Sequence, residues 1–252
     1  MEVKTVLVTQ ARMGSTRLPG KVLLEVNKTP LLKIHLDRLS ESKNVDKIIV
    51  ATTCNSDDNI IEELASIWGY EVFRGSEKDV LDRFYMAVKN FNPDWVVRVT
   101  SDCPLIDPLI VDKVIEITQM NLKDYGSTVL DETFPDGQDV EVFKFTALEM
   151  AWKHAKKDSE REHVTPFIRN NSDLKGGDIY TSISIKNDID FSRIRMTVDE
   201  EKDFELIYKI IDDLGPNKSW QEYVDFIIAG NLTNINGNII RNEGYLKSLK
   251  ND

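Results

Sequence analysis

The feature that most constrains this chain is an alternation. Short apolar runs of strand length are each followed by a longer amphipathic segment. Residues 5–9, 47–51 and 95–99 are runs of the buried-strand kind, and 70–73 is a shorter one. Helical patterns lie between and after them, at about 30–42, 57–68, 79–90 and 109–121. Strands separated by helices of this length need right-handed crossovers, so they lie parallel in a sheet covered on both faces. The spacing predicts a doubly wound α/β sandwich with a mostly parallel sheet. After about residue 125 the rhythm changes. Runs at 127–130 and 140–143 bracket the turn Phe134-Pro135-Asp136-Gly137, which predicts antiparallel additions and a small lobe over about 126–190. Further helices are expected at 146–156, 160–169, 200–214 and 220–228, and strands at 179–185 and 194–198. No Pro/Ser-rich linker divides the chain. Residues 1–230 therefore read as one domain, and the Asn- and Gly-rich stretch 231–252 as a loosely attached extension.

Composition narrows the function. The chain has 252 residues, 41% hydrophobic and 30% charged, the balance of a soluble globular protein. With 32 Lys+Arg against 43 Asp+Glu the formal net charge is −11, which argues against a general grip on nucleic acid. A local group of Arg and Lys can still bind a small anion. Two cysteines are too few for a disulfide scaffold or a paired-thiolate zinc site, and both read as reduced thiols in a cytoplasmic chain. The start lacks the long apolar stretch of a signal peptide, and no run approaches the ~18 apolar residues of a membrane span.

The most informative segment is Gln10-Ala11-Arg12-Met13-Gly14-Ser15-Thr16-Arg17-Leu18-Pro19-Gly20-Lys21. It follows the first strand, at the carboxyl edge where open α/β sheets bind ligands. It gathers three cations, two glycines and two hydroxyls, which suits a chain of phosphates. It matches neither the Walker A loop nor G-x-G-x-x-G. Asp102 follows the strong strand at 95–99, and Asp199 ends the run at 194–198. Two carboxylates converging from separate strand ends, opposite a basic loop, can hold Mg²⁺ against phosphate oxygens. Helix capping is the plain alternative for Asp199.

The loop resembles the signature of the cytidylyltransferases that make CMP-activated acidic sugars, and is most similar to the spore coat polysaccharide biosynthesis SpsF group. The KDO and N-acetylneuraminate cytidylyltransferases are relatives of that group. The resemblance runs to about residue 214. It takes in Val99-Thr100-Ser101-Asp102-Cys103-Pro104-Leu105-Ile106-Asp107, Asp136-Gly137-Gln138-Asp139-Val140-Glu141-Val142, Glu160-Arg161-Glu162-His163-Val164-Thr165-Pro166 and Thr197-Val198-Asp199. It implies a Rossmann-like nucleotidyltransferase sandwich that moves CMP from CTP to a small anionic sugar-like acceptor and releases pyrophosphate, with Mg²⁺ required. It also implies that Gln10, Ala11, Arg12, Gly14, Ser15, Thr16, Arg17, Lys21 and Ser101 surround the nucleotide. Thr52 and Thr53 fall where the nucleoside is bordered, and Arg74 and Gly75 near the nucleotide. Arg12, Lys21 and Asp102 are the residues expected to carry the reaction, and Asp102 and Asp199 to hold the metal. Asp136, Gln138 and Asp139 are placed at the acceptor, joined by Glu162 and His163.

Other readings stay open at this point. Turn chemistry alone explains Phe134-Pro135-Asp136-Gly137, and an acidic helix start explains Glu160 and Glu162. His35 and His154 read as structural. Cys103 as a nucleophile with His163 as base lacks any surrounding signature. A nucleotide-sugar glycosyltransferase would usually carry Asp-x-Asp, which Ser101-Asp102-Cys103 is not. A non-catalytic nucleotide-binding subunit is the remaining alternative. Gln10 stands where the KDO and sialate enzymes often have proline, so the acceptor and the base are not fixed by the resemblance. A homodimer fits an acidic enzyme of this size, although no residue demands it.

Overall fold

The computed structural model describes residues 4–250 and 252. Val6, Leu7 and Val8 are wholly enclosed, and a strand apolar on both faces belongs at the centre of a sheet. That strand is β1 (Thr5–Gln10). A basic loop and the short hairpin β2 (Glu25–Val26) and β3 (Thr29–Pro30) lead into α1 (Leu31–Leu39). The alternation continues with β4 (Lys47–Thr53), α2 (Asn59–Ile67), β5 (Glu71–Gly75), α3 (Val80–Val88), β6 (Trp95–Thr100) and α4 (Pro108–Met120). The lobe comprises β7 (Tyr125–Ser127), β8 (Glu141–Lys144), α5 (Phe145–His154), α6 (Asp158–His163), α7 (Pro166–Asn170) and β9 (Ser182–Ser184). Helices α8 (Glu201–Leu214), α9 (Trp220–Ala229) and α10 (Glu243–Ser248) complete the chain.

The seven-stranded sheet has the order β5-β4-β1-β6-β8-β7-β9. The β5, β4, β1 and β6 strands are parallel, and β8 runs antiparallel to both β6 and β7. This is the doubly wound sandwich with an antiparallel addition that the alternation predicts. Apolar clusters fill both faces: Leu7, Val97, Val99 and α4 on one, Val6, Val8, Phe84 and α5 on the other. Among the described residues no helix is long and apolar enough to cross a membrane.

Three expectations need correction. The run at 194–198 forms no strand; it lies extended and touches the Asp136 turn through one bridge, Asp136 to Arg195. The helix expected over 160–169 is two, α6 and α7, because Pro166 has no N–H to donate into a continuous helix. Val164 turns the chain between them at φ 72°, a strained value for a β-branched residue. The stretch after 230 is not loosely attached. Asn236 is buried and its side-chain amide donates to the Arg195 carbonyl at 3.2 Å and to Asp203 Oδ1 at 2.9 Å. Arg241 Nη2 donates to Asp139 Oδ1 at 2.7 Å, so the segment straps across the carboxyl edge of the sheet.

His35 on α1 locks that edge from beneath. Its Nδ1 donates to the Cys103 carbonyl at 2.9 Å, so Nε2 accepts from Thr9 Oγ1 at 2.9 Å. Burial lowers its pKa from 6.5 to about 4. The folded pKa lies below the unfolded one, so the unfolded chain binds more protons between pH 6.5 and 4 and stability falls on acidification. At pH 4.5 this one group removes about 2.5 kcal/mol. His35→Gln should flatten the fall in Tm between pH 7 and 4.5. An unchanged slope in that variant would show that His35 does not control it.

Candidate active site

A cavity of about 850 Å³ opens at the carboxyl ends of β1 and β6. Its first wall is the loop after β1. Gly20, at φ 68°, folds this loop back so that its N–H meets the Met13 carbonyl at 2.9 Å and Lys21 points inward. Met13 N–H donates to Asp58 Oδ1 at 2.7 Å, which pins the loop to the end of β4. Gln10, Ala11, Arg12, Ser15, Thr16, Arg17 and Lys21 all face the cavity. Arg12 is partly exposed and pairs with Glu77 at 3.2 Å.

The deepest feature is a knot of charge. Lys21 Nζ lies 3.1 Å from Asp102 Oδ2, 2.8 Å from Asp199 Oδ1 and 2.8 Å from the Val198 carbonyl. Two backbone-directed contacts bring the end of β6 and the extended run 194–198 together. Val198 N–H donates to the Asp102 carbonyl at 2.7 Å, and Thr197 Oγ1 to the same oxygen at 3.1 Å. Burial disfavours the charge on Lys21, but Asp102 and Asp199 outweigh it and its pKa is raised. Asp102 answers in kind. Burial opposes its ionisation, yet Lys21 and a hydrogen bond from Thr100 hold its carboxyl far below the usual range. Arg17 also reaches Asp199, at 2.7 Å. Asp199 does not cap α8; Glu200 occupies the cap position, and Asp203 accepts its N–H at 3.1 Å. The Asp199 carboxylate is thus left for cations.

At the far end the turn 134–139 is pressed against residues 196–197. Gly137 has φ 107°, and a Cβ there would stand 2.8 Å from the Met196 carbonyl carbon. Asp136 is buried against Arg195 at 2.7 Å. Burial, with Asp136, Glu132 and Glu141 nearby, outweighs Arg241 and raises the Asp139 pKa to about 7. Arg98 donates to Glu141 at 2.7 Å, and Glu141 also accepts from Tyr125 at 2.5 Å and Thr165 at 3.0 Å. His163 and Glu162 face this end of the cavity.

A family model described as cytidylyltransferase matches residues 6–224. The chain belongs to the cytidylyltransferase family. It is 43% identical, over 96% of its length and 98% of the other, to a protein of Methanocaldococcus jannaschii named MJ1063. It is 33% identical to the spore coat polysaccharide biosynthesis protein SpsF of Bacillus subtilis, across 87% of this chain and 92% of that one. Among solved structures it is similar to a cytidylyltransferase from Leptospira borgpetersenii, with a TM-score of 0.84 and 32% identity, covering 95% of this chain and 98% of that one.

Within this cytidylyltransferase, several residues singled out in the sequence stand apart from the cavity wall. Gly14, Thr52, Thr53, Arg74, Gly75 and Gln138 do not line it. Gln138 is spent on structure: its Oε1 accepts from Asp107 N–H at 2.8 Å and its Nε2 donates to the Leu105 carbonyl at 2.9 Å. Arg74 turns towards α2, giving its donors to Glu62 and Asn59 at 2.7 Å each and to the Thr53 carbonyl at 2.8 Å. Thr53 donates to Asp58. Ser101 does face the cavity, with its hydroxyl donating to the Gln10 carbonyl at 2.6 Å. Cys103 is buried, and burial beside Asp102 pushes its thiol up, which disfavours the thiolate that a nucleophile needs.

Two arginines of this cytidylyltransferase escape sequence reasoning. Arg83 on α3 is buried at the nucleotide end with Nε unpartnered, and burial beside Arg12 lowers its pKa to about 10. Its place on an apolar helix face gave no signal. Arg195 lies in a run that reads as a strand, yet it binds Asp136 at 2.7 Å, Asp199 at 2.9 Å and Asp203 at 2.8 Å. Arg195→Met would strand three carboxylates without that cation. Urea unfolding should show a loss of about 3–5 kcal/mol, the range for breaking a buried ion pair from one side. A loss below ~1 kcal/mol would deny Arg195 that role.

Proposed function

We propose that this protein transfers CMP from CTP to an acidic sugar or sugar-like acceptor, releasing pyrophosphate in a Mg²⁺-dependent reaction that feeds surface polysaccharide or glycoconjugate synthesis. The observation that carries the reading is the meeting of Lys21 with Asp102 and Asp199 beside the basic loop, in a cavity of about 850 Å³. Family membership supports the nucleotide, and the likeness to a spore coat polysaccharide biosynthesis protein of Bacillus subtilis supports the pathway.

The metal fits the donor set. Asp102 and Asp199 converge on one cation, and Mg²⁺ is commonly held by one or two carboxylates plus phosphate oxygens and water. Among the described residues no third His, Cys, Asp or Glu joins them as a metal cluster, which suits an ion shared with substrate. Bound there, Mg²⁺ would polarise the α-phosphate and offset charge in the transition state. The chain's own residues supply positioning. Arg12, Arg17 and Lys21 offer positive charge to the triphosphate, with Arg83 at the same end. Asp136 and Asp139 offer acceptors to substrate hydroxyls. The acceptor oxygen forms a bond to the α-phosphorus, and the bond to the pyrophosphate leaving group breaks in line.

Thermal shift with each nucleoside triphosphate and Mg²⁺ should give the largest rise in Tm with CTP. Equal shifts for all four would remove the cytosine assignment. Asp102→Asn keeps the shape and should lower pyrophosphate release by at least ~10²-fold, with a lower Tm because Lys21 loses one of its two paired carboxylates. Asp199→Asn should behave alike, with partial recovery at higher Mg²⁺. Full turnover in Asp102→Asn would overturn the mechanism.

A further inference from the structure

Lys21 cannot hold a phosphate and its two carboxylates at the same moment. An ammonium has three N–H donors and no acceptor. Those of Lys21 go to Asp102 Oδ2 at 3.1 Å, Asp199 Oδ1 at 2.8 Å and the Val198 carbonyl at 2.8 Å. The side chain is only 13% exposed, so water competes little for these donors. The carboxylates face the same limit. The oxygens of Asp102 and Asp199 that converge in the cavity are the two that the ammonium takes. A second cation drawn to them must displace the one already bonded there.

Lys21 is also the side chain best able to move. Arg195, the other buried cation on Asp199, is anchored outside the pair by Asp136 at 2.7 Å and Asp203 at 2.8 Å. The carboxylates stand on a main-chain frame, since Val198 N–H donates to the Asp102 carbonyl at 2.7 Å. Lys21 has a flexible four-carbon stem and lines the same cavity as Arg12 and Arg17. Rotation of that stem carries the ammonium from the carboxylates to a phosphate oxygen in the cavity with no change of backbone.

We infer that Lys21 is the resident counter-ion of the metal site: it holds Asp102 and Asp199 together until a metal–nucleotide complex arrives, then exchanges them for the phosphates. This rests on reading the cavity as a nucleotidyl-transfer site and gives that site an order of events. Metal and nucleotide enter as one unit, because only the nucleotide brings an anion to receive the ammonium. The exchange keeps every buried charge paired, whereas a bare divalent ion would leave the Lys21 ammonium without a partner.

The test is calorimetric titration of the full chain with Mg²⁺ alone, CTP alone and both together. Wild type is compared with Lys21→Met, which keeps the stem and removes the ammonium. Lys21→Met should bind Mg²⁺ alone at least ~10-fold more tightly than wild type, since it has no cation to displace. Affinity for CTP with Mg²⁺ should move the other way, falling about tenfold to a hundredfold for one lost charge-assisted contact. The variant should also have a lower Tm, recovered by Mg²⁺ and not by KCl of equal ionic strength. Adding Asp102→Asn to Lys21→Met should erase the gain in Mg²⁺ affinity. A lysine that only binds phosphate, or only braces the fold, moves CTP affinity or Tm and leaves Mg²⁺ binding where it was. Mg²⁺ binding no tighter in Lys21→Met than in wild type would overturn the inference, as would a gain that survives Asp102→Asn. If Lys21→Met does not fold, Lys21→Gln, which keeps N–H donors, takes its place; failure of Mg²⁺ to bind or refold either variant overturns it equally. The gain in Mg²⁺ binding, with no nucleoside triphosphate bound by wild type, would leave the resident counter-ion standing and remove nucleotidyl transfer. CTP binding by wild type without that gain would do the reverse.

Discussion

The Arg195 guanidinium is the contact on which the rest of the site depends. It sits almost without solvent between Asp136, Asp199 and Asp203. Each carboxylate belongs to a different part: the turn at the acceptor end, the extended run that ends beside Lys21, and the first turn of α8. Removing such charges from water is costly unless they are paired and hydrogen-bonded. Here the Asp203 oxygens also accept from the Asp199 and Glu200 N–H groups and from Asn236. One side chain therefore fixes the spacing between the two ends of the cavity.

A second constraint acts on the nucleotide end. Lys21 is held by two carboxylates and a carbonyl, and those carboxylates come from the end of β6 and the extended run 194–198, joined by the Val198 to Asp102 backbone bond. The positions of Asp102 and Asp199 are thus set by main-chain geometry, while Arg12 and Arg17 sit on the loop after β1 and pair with Glu77 and Asp199.

Much of this was legible in the sequence because it follows from periodicity. Val6-Leu7-Val8 and Val96-Val97 are apolar on both faces, a pattern that suits strands at the centre of a covered sheet. Lys21 and Asp102 were also readable, since residues just past such strands reach the ligand-binding edge. The misses share a physical cause. Gln138 and Arg74 have polar groups fit for a substrate, but the fold uses them on neighbouring backbone and side chains, and no local pattern reveals that. Arg195 was hidden in a run that alternates like a strand. The strap was missed because Asn and Gly composition reports backbone preference, whereas its attachment rests on long-range contacts from Asn236 and Arg241. The division of 160–169 into two helices was signalled by Pro166 and passed over.

The strap joins the body differently from every strand of the sheet. Its own backbone hydrogen bonds are local, such as Gly237 to Thr233 and Leu246 to Asn242, and side chains carry its attachment. No ladder register has to be preserved when its sequence changes. Most positions of the strap can therefore change without disturbing the hydrogen bonds of the parallel strands, but Asn236, Arg241 and Asn242 cannot, because they hold Asp203, Asp139 and Glu132. The roof of the cavity is thus tied to its floor by three polar side chains and is otherwise free of the sheet's register.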